Sequence, residues 1–266
     1  MSTVDRQLLG DIGKSLKLAR VWIFLGQRDL KARFRGSFIG PLWILLNLGL
    51  FVGGAGLVYG ALFGQPMHEF LPFLTAGFVI WGFISATIVE SGHTFIIAEG
   101  YIKQFSFPKQ VYLLRMLVSS AAVFGIGLLA LFVLRIVTGS FDLLGWMYAI
   151  PGILLLLAAG LAHICLFAYL GARFVDLPHA LGGILQIFFF LTPIIFPADT
   201  LRDRGLDFIY RFNPLYYLIE IVRAPILTDQ FAAADAYFFA MLYVVVVFLL
   251  AYLTARKMDR KLVFVL

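Results

Sequence analysis

One stretch limits this chain more than any other: Arg28 to Gly64, RDLKARFRGSFIGPLWILLNLGLFVGGAGLVYGALFG. Arg28, Lys31, Arg33 and Arg35 crowd its start, and no Asp, Glu, Lys or Arg follows from Gly36 to Met67. One end therefore belongs in water and the other in hydrocarbon. About 20 apolar residues, rising ~1.5 Å each, cross a ~30 Å hydrocarbon core, and Phe38 to Phe63 is long enough to do so with some tilt. Within it Gly49, Gly53, Gly56, Gly60 and Gly64 recur every three or four residues. At ~100° per residue they share one narrow face, which predicts a glycine-lined surface for close helix packing, in this subunit or a second copy.

Composition agrees with a membrane entry point. Hydrophobic residues make up 62% of the 266 and charged residues 14%, against roughly 45–50% and 25% in soluble domains, which predicts a single polytopic membrane domain. The lone Cys165 allows no intramolecular disulfide and no cysteine-cluster metal site, and reads as a small buried residue.

The amino end carries Asp5, Arg6, Asp11, Lys14, Lys17 and Arg20, so it lacks the apolar core of a signal peptide. Gly13, Lys14 and Ser15 imitate the tail of a phosphate-binding loop, but Leu8 stands where the motif's first glycine would fall. From Lys14 to Lys31 the cations Lys14, Lys17, Arg20, Arg28 and Lys31 lie on one helical arc, opposite Leu16, Trp22, Ile23 and Leu25. A basic amphipathic helix of this kind lies in the headgroup plane, as a lipid anchor or as a gating or docking element.

A second apolar segment runs from Phe70 to about Val89 and ends in Glu90, Ser91, His93, Thr94 and Glu99. A carboxylate at membrane depth costs about 2.5–3.5 kcal/mol, which places Glu90 against protein or water. Glu90, His93 and Cys165 are too scattered for a zinc site. Gly100 to Arg115, GYIKQFSFPKQVYLLR, mixes Lys103, Lys109 and Arg115 with Tyr101, Phe105 and Phe107. This suits a short helix that plugs into a partner, with a plain loop as the other reading. Further spans are predicted at Met116–Val137, Trp146 to about Ala172, Ala180–Phe196 and Tyr237–Ala255. Two prolines in LTPIIFP, Leu191 to Pro197, break the fifth. From Ala198 to Asp235 the chain is too apolar for a free loop and too interrupted for a crossing. Two short re-entrant helices are predicted there, with Pro214 and Pro225 as stops and Glu220 paired to Arg223 at i, i+3.

Of the 21 Lys and Arg, only Arg135, Arg202, Arg204, Arg211 and Arg223 then fall on the far side, which orients the chain with both termini cytoplasmic. The expected fold is all-α and integral to the membrane, with six transmembrane helices, an amphipathic interfacial helix at the amino end and re-entrant helices between spans five and six. Residues 1–37 form a cytoplasmic amphipathic segment, 38–255 the six-span membrane domain and 256–266 a basic tail; 98–110 is a cytoplasmic segment between spans two and three and 197–235 an external re-entrant segment. The predicted spans carry no paired carboxylates, His clusters or Ser/His/Asp groupings, so catalysis and proton coupling are not expected here. The aromatics, 28 Phe, 11 Tyr and 4 Trp, suit interfacial belts and also the apolar faces of sugar rings. A polysaccharide needs such a route, since each uncompensated hydroxyl in lipid costs roughly 2–7 kcal/mol.

Three motifs in order, RDLKARFRGSFIGPLW (Arg28–Trp43), FSFPKQV (Phe105–Val111) and NPLYYLIEIVR (Asn213–Arg223), make nearly the whole chain similar to permease subunits of ABC exporters for O-antigen, capsule and teichoic acid, in the type 2 exporter superfamily. The chain departs from that pattern at Leu46, Asn47, Leu48 and at Leu113, Leu114, where family members often carry proline; this bears on the substrate subclass and not on the fold. The resemblance implies a homodimer, two copies of a separate ATPase subunit that binds the ATP and Mg, no cofactor in this chain and no nucleic acid. The implied cargo is a polyprenyl-diphosphate-linked glycan, O-antigen first, crossing the bacterial inner membrane. It also implies a gate for the lipid diphosphate at Arg28, Lys31, Arg33 and Arg35, where basic side chains suit the charge. Coupling to the ATPase would fall to Tyr101, Lys103, Phe105 and Phe107, and an external gate to Asn213, Tyr216, Tyr217, Glu220 and Arg223. The rivals are a type 2 exporter of a drug or lipid, a membrane-embedded enzyme on polyprenyl-linked substrates, and a structural scaffold.

Overall fold

The computed structural model describes residues 3–104, 107–259 and 262, with side chains from Gly10 onward. Its elements, all helical, are α1 (Thr3–Lys17), α2 (Ala19–Arg33), α3 (Leu42–Phe63), α4 (Met67–Val89), a 3-10 turn (Glu90–His93), α5 (Thr94–Ile97), α6 (Glu99–Gln104), α7 (Gln110–Val137), α8 (Leu143–Arg173), α9 (Leu177–Leu191), α10 (Ala198–Arg202), α11 (Phe208–Arg211), α12 (Pro214–Thr228) and α13 (Ala234–Met258). Five stretches among the described residues are long and apolar enough to cross a membrane: α3, Met67–Ile97, α7, α8 and α13. α9 has 15 residues, about 22 Å of helix, and falls short of a ~30 Å core by itself.

Local chemistry sets the boundaries. Gly64 ends α3 in the left-handed conformation at φ 62°, which glycine adopts without a Cβ penalty. The Asp142 carboxylate accepts from the Leu144 amide at 2.8 Å and opens α8. Asn213 accepts from the Leu215 amide at 3.0 Å to open α12, with Pro214 at its first position.

α4, α8 and α12 form the core, together with the inner face of α13. Glycines let these helices close on one another. A Cβ at Gly152 would overlap the Ile221 carbonyl oxygen, one at Gly160 the Phe83 ring, and one at Gly171 the Gly92 backbone. Buried His163 joins three helices, with Nδ1 3.2 Å from Thr87 Oγ1 and Nε2 2.7 Å from Tyr243 Oη. One end of the bundle gathers Arg33, Glu90, Tyr101, Lys109 and Asp259; the other gathers the α3–α4 turn, the α7–α8 turn and the end of α12.

Several expectations change. The basic helix expected over Lys14–Lys31 is two helices, broken at Leu18 (φ −87°, ψ 29°). Pro225, expected as a stop, lies inside α12. Proline cannot donate to the carbonyl four residues back, Ile221, and that is the carbonyl Gly152 packs against. Gly64 lies beyond the end of α3, so it is a terminator and not a packing residue. Arg115, Arg135 and Arg223 are all buried, each under 9% exposed. Arg260 and Lys261 of the basic tail lie outside the described residues.

Candidate functional site

The four cations expected to act together are divided by the structure. Arg28, on the last turns of α2, donates to Tyr101 Oη at 2.5 Å and stands 5.6 Å from that ring's centroid. That bond raises the Arg28 guanidinium further above its already high pKa. Arg33 pairs with Glu90 Oε1 at 2.9 Å, both half-exposed. Lys31 and Arg35 are exposed, Arg35 in the turn that follows α2.

Behind the Arg33–Glu90 pair a cavity of about 320 Å³ opens between α2, α3, α4 and α7, walled by Trp43, Ile44, Phe83 and Phe124 with Asn47 and Ser120 among them. A half-exposed ion pair over an apolar slot suits an amphiphile whose anionic head can take the place of Glu90 on Arg33.

A second set of contacts fixes α2 to the bundle. Asp29 is held by Arg115 in a two-pronged pair, Nη2 to Oδ1 at 2.6 Å and Nε to Oδ2. Gly26 lies where a Cβ would meet the Arg115 carbonyl and Val118 at 2.8 Å. The Arg115 guanidinium also stands 6.0 Å from the Tyr101 ring centroid. Tyr101 of α6 is thus flanked by cations from α2 and α7, and the helix expected to couple is wired to the helix expected to gate. Lys103 pairs with Glu99 at 2.6 Å along α6, and Phe107 is exposed. Phe105 lies outside the described residues. Nearby, Lys109 meets Asp259 Oδ2 at 3.1 Å and Tyr169 donates to Asp259 Oδ1 at 2.7 Å, tying the start of α7 to the end of α13.

At the other end, the residues expected as an external gate brace a break in the chain. Asn213 donates to Thr192 Oγ1 at 2.7 Å, where α9 stops. Arg223 donates to the Pro193 carbonyl at 2.7 Å and to Glu220 at 2.9 Å, and lies 4.4 Å from the Phe73 ring centroid. The i, i+3 pairing is therefore present, and Arg223 also satisfies a carbonyl that the helix end leaves open. Tyr216 sits between the rings of Tyr210 and Tyr217, and Tyr217 donates to the Arg211 carbonyl at 2.9 Å.

The glycine face of α3 is used unevenly. Gly56 and Gly60 are buried against Leu71, Met67 and Phe70 of α4, whereas nothing lies within 4 Å of a Cβ at Gly49 or Gly53. Sequence reading missed the Asp29–Arg115 and Lys109–Asp259 pairs. A charge placed within an apolar helix, as at Arg115, was the available signal. Among the described residues no three His, Cys, Asp or Glu side chains gather to hold a metal.

The pattern of the ABC-2 type transporter family matches residues 20–227, which takes in α2, the cavity, α6 and α12. The chain belongs to the ABC-2 type transporter family. It is 29% identical over 207 residues to "O-antigen export system permease protein RfbA" of Myxococcus xanthus, covering 76% of this chain and 78% of that one. A protein of the same name from Klebsiella pneumoniae is 26% identical over 204 residues, covering 74% and 76%. An ABC-2 permease is a multi-pass membrane transport subunit that works with an ABC ATPase, so the tie between α2, α6 and α7 lies in a transport machine. In this ABC-2 chain the family match ends at the last turn of α12, before α13.

Proposed function

We propose that this chain is the channel-forming subunit of an ATP-driven exporter that moves a polyprenyl-diphosphate-linked polysaccharide, O-antigen first, across the bacterial inner membrane. The observation that carries the reading is the cavity behind Arg33 and Glu90, an arginine–glutamate pair at the mouth of an aromatic and aliphatic slot. A lipid diphosphate is an anionic head on an apolar tail, and the chain's likeness to O-antigen export permeases points to the same class. Arg28, Lys31, Arg33 and Arg35 receive the diphosphate, which displaces Glu90 from Arg33. Tyr101, Lys103, Phe105 and Phe107 meet the ATPase, and Arg28–Tyr101 passes its movement to α2.

In this reading both termini are cytoplasmic and α9, with the extended turn 192–196, makes the sixth crossing. Residues 197–235 dip into the membrane from outside, in keeping with Arg211 and Phe212 packing beside Leu242 and Val246, about halfway along α13. Two copies meet through the open part of α3, around Gly49 and Gly53, and two ATPase subunits bind ATP and Mg beneath them.

The test is deletion of the gene in its own bacterium. Surface polysaccharide is expected to vanish while lipid-linked glycan accumulates inside. Normal surface polysaccharide would overturn the reading, and loss of a drug or lipid export phenotype instead would favour another amphiphile in the same slot.

A further inference from the structure

A cavity of about 590 Å³ lies at the end of the bundle away from Arg33. It is lined by Gln65 of the α3–α4 turn, His68, Glu69 and Phe73 of α4, Ser140 of the α7–α8 turn and Asp229 at the end of α12, with Arg135 of α7 at its side. The Arg135 side chain is 7% exposed, 3.5 Å from Asp229 Oδ1, and its Nε is buried with no hydrogen-bond partner. A buried donor without an acceptor costs about 1–3 kcal/mol, which Arg135 recovers if its side chain turns to bring Nε onto an acceptor held in the cavity.

The lining chooses the ligand's chemistry. Arg135 pairs with Asp229, and His68 Nε2 stands 3.6 Å from Glu69 Oε1, so the basic and acidic groups of the lining are matched and no surplus of positive charge calls for an anion. The amide of Gln65 and the hydroxyl of Ser140 both donate and accept. Phe73 supplies an apolar wall. Donors and acceptors interleaved beside an apolar face match a neutral sugar, whose hydroxyls do both and whose C–H face is apolar.

We propose that this cavity is a saccharide-binding site that holds sugar units of the glycan after they have crossed, with Arg135 Nε and Asp229 bracketing adjacent hydroxyls. This rests on the glycan-export reading, and it adds a binding step outside the conduit. Because Pro197 and Asp229 both line the cavity, a bound sugar touches the 197–235 segment at two separate points.

The test is saturation-transfer NMR and calorimetry on the full chain with its ATPase in nanodiscs. The probe is lipid-free oligosaccharide released by mild acid from the source bacterium's surface polysaccharide. Wild type is expected to bind saturably, with inorganic phosphate unable to compete. Arg135→Lys removes the Nε fork, and Ser140→Trp fills the cavity from the partly buried α7–α8 turn; each is expected to weaken binding about tenfold or more. Arg202→Ala, on exposed α10, is expected to bind like wild type. No wild-type binding, displacement by phosphate, or equal affinity in wild type and Ser140→Trp would overturn the site. If deletion abolishes surface polysaccharide and the oligosaccharide still fails to bind, this site falls and the export reading stands. Should deletion leave the polysaccharide intact, the export reading falls first.

Discussion

Two glycine-rich helices, α8 and α3, put the same residue to opposite uses. In α8, Gly145, Gly152, Gly160 and Gly171 each lie where a Cβ would overlap another part of the same chain, most of it backbone. In α3, only Gly56 and Gly60 meet a neighbour, while Gly49, Gly53 and Gly54 have nothing within 4 Å. Without a hydrophobic drive between helices in lipid, small residues matter because they let backbones approach. α8 therefore builds the subunit, while the open stretch of α3 around Gly49 and Gly53 is where the proposed assembly would seat a second copy.

Substitutions grade this difference. Gly152→Leu drives a side chain into the Ile221 carbonyl, where neither backbone can yield, and is expected to cost about 4 kcal/mol or more and to abolish the monodisperse species in detergent chromatography. A folded, monodisperse Gly152→Leu protein would break the comparison. Asp29→Ala leaves the Arg115 guanidinium, 10% exposed, without its carboxylate. The cost is about 2–3 kcal/mol after discounting for Asp29's partial exposure, read as faster proteolysis and deuterium exchange in α2 while α8 stays protected. Gly56→Leu meets the flexible end of Leu71 and is expected to lower stability by about 1–2 kcal/mol in thermal unfolding. Gly53→Leu has open space within the subunit, so it should change subunit stability by less than about 1 kcal/mol. It should nonetheless shift mass-resolved chromatography from dimer to monomer. An unchanged dimer would move the subunit contact off α3.

How much of this could be read from residue order follows from the range of each signal. Spans, the glycine spacing on α3, the proline break after Leu191 and the Glu220–Arg223 pairing are local, set within a few turns of helix. The partner of each face is not. Asp29 meets Arg115, Lys109 meets Asp259 and Arg33 meets Glu90 across separations that no helical period encodes. Pro225 misled for a related reason: a proline ends a helix unless its orphaned carbonyl finds another setting, and Gly152, far away in sequence, supplies one. The expected gate residues are neighbours in sequence, but their side chains face different partners, Arg28 toward α6 and Arg33 toward Glu90.

The central claim, a conduit driven by a separate ATPase, is tested most directly in proteoliposomes holding this chain with and without its ABC ATPase. The quantity to measure is delivery of polyprenyl-diphosphate-linked glycan to the opposite leaflet, scored by an impermeant lectin. Delivery that requires both proteins and hydrolysable ATP is the predicted result. Delivery by this chain alone, without nucleotide, would contradict it.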